Sequence, residues 1–115
     1  MTGDKRLIVA FYRAQNGTEP VREWLKAMPD ADRQTLGRDL QLVEMGWPVG
    51  MPLCRALGDG LWEVRSSLPS KRIARILFCA VDGYMVLLHA FIKKTQKTPE
   101  SELNIARARQ KEVDR

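Results

Sequence analysis

The spacing of apolar residues changes abruptly along this chain, and that change restricts the available folds more than any other feature. After a Gly- and Pro-rich connector at 47–51, apolar and polar residues alternate from Leu61 to Ser66, which is the period of a strand. Before the connector, apolar residues recur at the helical steps i, i+3, i+4 and i+7, as Val21, Trp24, Leu25 and Met28. Because the two periods fall in separate blocks, the sequence predicts an α+β fold.

Turn residues divide the chain into seven predicted elements. Pro29 separates the first helix from a second one that Gly46 ends, and Asp82-Gly83 is typical of a two-residue hairpin turn. The predicted order is β-α-α-β-β-β-α in a single domain over residues 1–115, with a helical hairpin packed on a mostly antiparallel twisted sheet. The predicted strands are 7–12, 61–66, 72–81 and 84–93, and the last helix begins at Thr98-Pro99-Glu100.

The positive charge of the chain is concentrated in one segment. Residues 65–97 carry seven Lys and Arg side chains against the single acid Asp82, a net charge of +6, whereas the whole chain carries +5. A concentrated cationic surface suits a polyanion such as nucleic acid, or an acidic protein partner. Solvated strand edges, where Lys and Arg discourage aggregation, account for the same charges equally well.

Charged side chains interrupt two apolar strand faces in this segment. Arg75 is predicted to share a face with Ile73, Leu77 and Cys79, and a buried charge needs a partner or a wet cleft. If Arg65, Arg75, His89 and Lys93 point toward one concave side, they form a cationic groove. Alternatively, Arg75 pairs with Glu63 across neighbouring strands. The second face is expected to consist of Leu87, His89, Phe91 and Lys93.

Several other kinds of site do not fit the sequence. One histidine and two separated cysteines, Cys54 and Cys79, give no metal-ligand spacing, so no metal is expected. No Ser-His-Asp set, phosphate-binding Gly-rich loop or cofactor site is indicated. No apolar run approaches the roughly 20 residues that cross a bilayer, and the N-terminus shows no cleavage site. We therefore expect a cytoplasmic protein without a membrane partner.

Three stretches of sequence are distinctive: LGDGLWEVR at 57–65, RILF at 75–78 and LLHAFIKKTQKTP at 87–99. Together with FY at 11–12 and PVREWL at 20–25, they resemble the RelE/ParE toxin superfamily, and most closely its HigB-type branch of phage-derived host-inhibition-like proteins. The resemblance covers nearly the whole chain, and it implies the compact α/β fold of that superfamily.

The resemblance implies the toxin of a type II toxin–antitoxin module. It favours a ribosome-dependent, metal-independent mRNA endoribonuclease that inhibits translation. Members that resemble ParE instead inhibit DNA gyrase on the same fold, so the fold does not decide the activity. A nonenzymatic basic nucleic-acid adaptor is a third hypothesis. The implied partners are the ribosome with its mRNA and a small helix-turn-helix antitoxin, which forms a hetero-oligomer with the toxin.

The resemblance also assigns roles to cationic side chains. In this RNA cleavage a base takes the 2′-hydroxyl proton, the oxygen attacks phosphorus, and Arg side chains stabilise the charge that develops. Arg75 and then Arg65 match the phosphate-stabilising positions, while Lys93 and Lys94 stand where acid/base residues are found. A lysine base needs a pKa lowered by nearby cations. The residues expected to bind RNA are Arg55, placed in a loop, and Lys71, Arg72, His89 and Lys97.

Overall fold

The computed structural model describes residues 5–113, which form three helices and one five-stranded sheet and confirm the α+β prediction. The N-terminal residues 1–4 and the last two residues, 114–115, which belong to the predicted domain 1–115, lie outside the described residues. The elements are β1 (Ile8–Phe11), α1 (Pro20–Lys26), α2 (Asp30–Gly46), β2 (Cys54–Gly58), β3 (Leu61–Ser67), β4 (Ile73–Val81), β5 (Tyr84–Ile92) and α3 (Glu100–Val113).

The sheet has the strand order β1-β5-β4-β3-β2. Only the β1–β5 pair is parallel and the other pairs are antiparallel, as expected for a mostly antiparallel sheet. The strand β2 was not predicted, so the element order contains one strand more than the sequence indicated. Arg55 therefore lies in an edge strand rather than in a loop, and its register partner on β3 is Glu63.

The first face of the sheet is covered by the first two helices. Helix α1 contacts β5 and β1, whereas α2 contacts β3 and β1, so each helix is held mainly by the sheet rather than by the other helix. The predicted buried stripe of α2 is confirmed, because Leu36, Leu40 and Val43 all belong to the core on this side. These residues bury the apolar side of the sheet beneath α1 and α2.

A β-bulge in β5 changes which residues share a face. Leu77 pairs with His89 but Phe78 pairs with Leu87, so Leu88 is an extra residue without its own partner. Leu87 consequently lies in the core beneath α1 and α2, and Leu88 lies in the core on the other side. The predicted common face of Leu87 and His89 is wrong, because the bulge shifts the alternation by one residue.

Helix α3 covers part of the second face through both polar and apolar contacts. Arg109 donates to the carbonyl of Leu88 at 2.8 Å, and Gln110 donates to the carbonyl of Asp59 at 2.9 Å. Ala106 is the buried apolar contact at the centre of the helix, and Leu103 packs beside it. The helix leaves uncovered the part of this face where β2, β3 and β4 carry Arg55, Glu63, Arg65 and Arg75.

Candidate functional site

A pocket of about 160 Å³ opens on the sheet face opposite α1 and α2. Alternation along β3 and β4 sends Glu63, Arg65 and Arg75 to this face, while Val64 and Ile76 enter the core. Four cations thus surround one carboxylate. We call this site the basic pocket; its lining residues are Met51, Pro52, Leu53, Arg55, Glu63, Arg65, Arg75, Lys93 and Gln96.

Two arginines of the basic pocket occupy directly opposed positions on neighbouring strands. Arg65 on β3 is the register partner of Arg75 on β4. Like charges at opposed positions of an antiparallel pair destabilise the sheet. Arg65 is exposed, and its side chain forms no ion pair with any residue in the range 5–113. The arrangement therefore leaves one guanidinium available to an anion from outside the protein.

Arg75 is held by the protein itself. Its residue is only 3% exposed, its Nη1 donates to Thr98 Oγ1 at 2.8 Å, and its Nη2 donates to the carbonyl of Gln96 at 2.8 Å. Its Nη1 also lies 3.7 Å from the Glu63 carboxylate, so the cross-strand pairing is confirmed. Both terminal nitrogens are occupied, which makes Arg75 an internal support of the pocket wall.

Glu63 is the centre of the buried polar contacts. It is 3% exposed, accepts a hydrogen bond from Thr98 Oγ1 at 2.6 Å, and accepts another from Arg55 Nη2 at 3.3 Å. A buried carboxylate is stable only when its oxygens are paired and hydrogen-bonded. Glu63 thus joins β2, β3, β4 and the segment after β5 into one rigid wall.

Lys93 immediately follows β5 and completes the basic pocket. Desolvation lowers the pKa of Lys93 from its usual 10.5, and the positive charges of Arg65 and Arg75 lower it further, while Glu63 acts in the opposite direction. Nearby cations thus contribute to the lowered pKa of Lys93, which is the direction that a lysine base needs. A lysine in this state releases its proton more readily than one in water.

The other candidate cations fall into two groups. Lys71, Arg72 and Lys94 line a neighbouring depression of about 520 Å³ that shares Lys93 and Gln96 with the basic pocket. We call it the basic depression; its remaining lining residues are Ile73, Ile92 and Thr95.

His89 and Lys97 lie outside both sites. The ring Nε2 of His89 is 2.8 Å from Glu102 Oε1 on α3, so the predicted participation of His89 in the groove is wrong. The physical reason is that α3 covers this part of the face and supplies the partner of the histidine. Lys97 lines a separate depression with residues of α3.

Two residues that complete the wall, Gln96 and Thr98, were missed from the sequence. They belong to the segment between β5 and α3, and both accept a hydrogen bond from Arg75 on β4, which lies 21 positions before Gln96 and 23 before Thr98. The signal that could have found them is Glu63, whose position on the same strand face as Arg65 placed a carboxylate among the cations.

Residues 5–113 contain neither a metal-binding cluster nor a helix that could span a membrane. Within 5–113, His, Cys, Asp and Glu nowhere gather in a group of three or more that could hold a metal ion. None of the helices in this range combines the length and apolar character that crossing a membrane requires.

The profile of the family described as "Phage derived protein Gp49-like (DUF891)" matches residues 23–111. The chain belongs to this family. The Gp49-like match begins within α1 and ends within α3, so it includes both the basic pocket and the basic depression. The family is of the RelE-like, toxin-like type, in agreement with the resemblance found in the sequence. No curated protein matches the chain.

Proposed function

We propose that this Gp49-like protein is the toxin of a type II toxin–antitoxin module, on the HigB-type branch, and that it cleaves mRNA on the ribosome without a metal ion. One observation carries the proposal. Arg55, Arg65 and Lys93, from three separate parts of the chain, line one pocket in which the pKa of Lys93 is lowered. A phosphodiester needs cations for its charge and a base for the 2′-hydroxyl, and the pocket supplies both.

The exposed guanidinium of Arg65 is the main phosphate ligand in this proposal. Planar guanidinium groups donate paired hydrogen bonds to two phosphate oxygens, so they match the charge that develops on the phosphorane. Arg55 flanks it from β2, where Glu63 fixes its side chain. Arg75 was the first choice for the phosphate ligand from the sequence, but in this proposal it does not contact the phosphate. Its terminal nitrogens bind Thr98 and Gln96, and its buried charge adds to the positive potential of the pocket.

The chemical step uses Lys93 as the general base. Neutral Lys93 takes the proton of the ribose 2′-hydroxyl, and the oxygen attacks the adjacent phosphorus. The bond from phosphorus to the 5′ oxygen breaks, which leaves a 2′,3′-cyclic phosphate and a 5′ alkoxide that takes a proton from water. Lys94 lines the basic depression and not the basic pocket, so we assign it to RNA binding. Positive charge near Lys93 lowers its pKa, so its neutral form is present at lower pH than in an isolated lysine.

The partners of this proposed toxin follow from the same surface. A small helix-turn-helix antitoxin with an acidic segment would neutralise the basic pocket and form a hetero-oligomer with the toxin. The ribosome would bring mRNA to the pocket in the cytoplasm, and its dense phosphate field would favour a cationic face. A helix-turn-helix reading frame beside this gene would support the module.

The test is primer extension on cellular transcripts after brief induction of the protein. Discrete cuts in translated messages are expected for the wild type, and loss of cutting for Arg65→Ala and for Lys93→Met. Lys111→Ala removes an exposed cation on α3 and serves as the matched control, since it lines neither the basic pocket nor the basic depression. Intact messages with broken chromosomes would contradict the nuclease and point to gyrase.

A second measurement separates an enzyme from a binding protein. Purified protein mixed with ribosomes and mRNA should release fragments that end in a 2′,3′-cyclic phosphate. Tolerated overexpression with tight RNA binding and no fragments would favour a nonenzymatic adaptor.

A further inference from the structure

The turn between β3 and β4 carries a lysine in a backbone conformation that lysine seldom adopts. Lys71 has a φ of 68°, in the left-handed region that favours glycine. The turn is closed by two backbone hydrogen bonds, from Leu68 N to the Arg72 carbonyl and from Lys71 N to the Leu68 carbonyl, both 2.9 Å long. The conformation is therefore fixed by the surrounding chain rather than chosen by the lysine.

A buried aspartate on α2 holds this turn in place. Asp32 is 1% exposed; it accepts hydrogen bonds from the Ser70 N–H at 3.1 Å and from Arg72 Nη2 at 3.2 Å. The hydrogen bond of the Ser70 side chain, followed by those of the Ser70 N–H and Arg72, lowers the pKa of Asp32, while burial acts in the opposite direction. Asp32 also neutralises Arg72, so Arg72 shapes the turn, and the ammonium of Lys71 is the charge that the turn presents.

A strained residue that the structure over-determines is a reason to look for a function. Glycine would fit the left-handed position without strain, so the lysine at position 71 is not explained by the needs of the fold. The Lys71 side chain is exposed and has no acidic partner within residues 5–113. What the lysine adds over glycine is a cation at a fixed place.

That place adjoins the basic pocket. Lys71 and Lys94 line the basic depression, which shares Lys93 and Gln96 with the basic pocket. The two sites are thus continuous, and none of the acidic side chains within residues 5–113 lines the basic depression. We propose that the basic depression is a second phosphate subsite, in which Lys71 and Lys94 hold the phosphate next to the scissile one. The inference rests on the proposed function for the identity of the strand as RNA.

The test uses fluorescent oligoribonucleotides of increasing length whose sugars are 2′-O-methylated, so that they bind without being cleaved. In the wild type, affinity should increase when the oligonucleotide becomes long enough to place a phosphate in the basic depression. Lys71→Gly should remove that increase, with binding weaker by roughly fivefold and a salt slope smaller by about 0.7. The same substitution should raise the melting temperature by about 3 °C, because it relieves the left-handed strain.

Two further variants separate charge from flexibility. Lys71→Asn accepts the left-handed conformation without a charge and should bind the oligonucleotide as weakly as Lys71→Gly. Lys71→Arg keeps the charge and should bind it as tightly as the wild type. Lys111→Ala, which removes one cation outside both sites, is the control for bulk charge. Equal binding by Lys71→Gly and the wild type overturns the subsite, and so does equal weakening by Lys111→Ala.

The binding assay is independent of catalysis, so the two proposals fail in different ways. If the wild type cuts no RNA but Lys71→Gly loses the length-dependent gain, the nuclease fails and the basic depression stands as a phosphate site of an RNA-binding protein. If the wild type cuts RNA and Lys71→Gly binds and cuts equally well, the nuclease stands and the subsite fails. In that second case, Lys71→Gly could still weaken the binding of an acidic protein. Such a result would assign this surface to a protein partner, and the phosphate subsite would still fail.

Discussion

The hydroxyl of Thr98 donates a 2.6 Å hydrogen bond to the Glu63 carboxylate and accepts one from Arg75 Nη1 at 2.8 Å. A single oxygen thus bridges the carboxylate of Glu63 on β3 and the guanidinium of Arg75 on β4. Without it, the closest contact between these two groups is the 3.7 Å from Arg75 Nη1 to the Glu63 carboxylate. Because Glu63 and Arg75 are almost fully buried, the stability of this pair depends on such hydrogen bonds. The segment after β5 is therefore a structural part of the pocket wall.

Replacing Thr98 by valine should destabilise the protein. Valine has the same shape but no hydroxyl, so Glu63 and Arg75 each lose a hydrogen-bond partner in a buried site. We expect a loss of about 2 kcal/mol in the free energy of unfolding, measured by urea denaturation. Thr98→Ser keeps the hydroxyl and should lose less than ~1 kcal/mol. A loss for Thr98→Ser as large as that for Thr98→Val would contradict the role assigned to the hydroxyl.

Removing the charge of Glu63 should have a larger effect. In Glu63→Gln the buried guanidinium of Arg75 keeps its charge but loses its counter-charge. Breaking a buried pair in this way costs about 3 kcal/mol, which urea denaturation would detect as a lower midpoint at unchanged slope. Glu102→Gln, on a carboxylate that contacts His89 near the surface, is the control and should change the midpoint much less.

The sequence predicted the fold where the pattern was local. The helical stripe of α2 and the Asp82-Gly83 turn were read correctly, because each is decided by residues close together in the chain. Strand β2 was missed because its short stretch, Cys54–Gly58, becomes a strand only by pairing with β3. The bulge at Leu88 was missed because the stretch Met85–Leu88 is entirely apolar, so no polar residue reveals where the alternation shifts.

The candidate site was predictable in part for a similar reason. Alternation along β3 and β4 placed Arg65 and Arg75 on one face, and the pocket contains both. The burial of Arg75 was not predictable, because it depends on Gln96 and Thr98, which approach it only after the chain has folded. His89 was misplaced because the position of α3 over the sheet has no local sequence signal.

Arg65→Gln should raise stability and lower activity together. The substitution removes one of two like charges at opposed positions of β3 and β4. We expect a gain of about 0.5 kcal/mol in the free energy of unfolding. If Arg65 binds the phosphate, RNA cleavage should fall by roughly a hundredfold. Paired measurements of melting and of cleavage test this; a variant that loses stability and activity in parallel would indicate an ordinary structural role.

Asp32→Asn should alter the acid dependence of stability. The folded protein lowers the pKa of Asp32 below its usual 3.8, so the ionised group stabilises the fold above that value, and the stabilisation is lost as pH falls through the folded pKa. Urea midpoints measured from neutral pH down to about pH 3 should decline less steeply in Asp32→Asn than in the wild type. Asp30→Asn, on the exposed first turn of the same helix, is the control.

Gly37→Ala should stabilise the protein without affecting the site. Gly37 is exposed within α2, and a Cβ placed there would meet no atom within 4 Å. An alanine inside a helix is favoured over glycine by about 1 kcal/mol. Gly60→Ala should do the opposite, since Gly60 has a φ of 79° and its added Cβ would approach Gln110 Nε2 at 3.3 Å. Thermal melting of the two variants should move in opposite directions.

The pH dependence of cleavage should report the state of Lys93. If neutral Lys93 is the base, the rate rises with pH and levels off above its pKa. Arg65 is one of the causes that lower this pKa, so in Arg65→Gln the rising limb should move to higher pH, whatever the height of the plateau. Lys111→Ala should leave the limb in place.

Stability supplies the independent check on the same lysine. The folded pKa of Lys93 lies below the ordinary 10.5, so between the two values the unfolded state binds more protons and stability increases with pH. At neutral pH the charged Lys93 is therefore unfavourable to folding, and Lys93→Met should be at least as stable as the wild type while it cuts no RNA. A cleavage limb that stays fixed in Arg65→Gln, together with a Lys93→Met protein that still cuts, would eliminate Lys93 as the base.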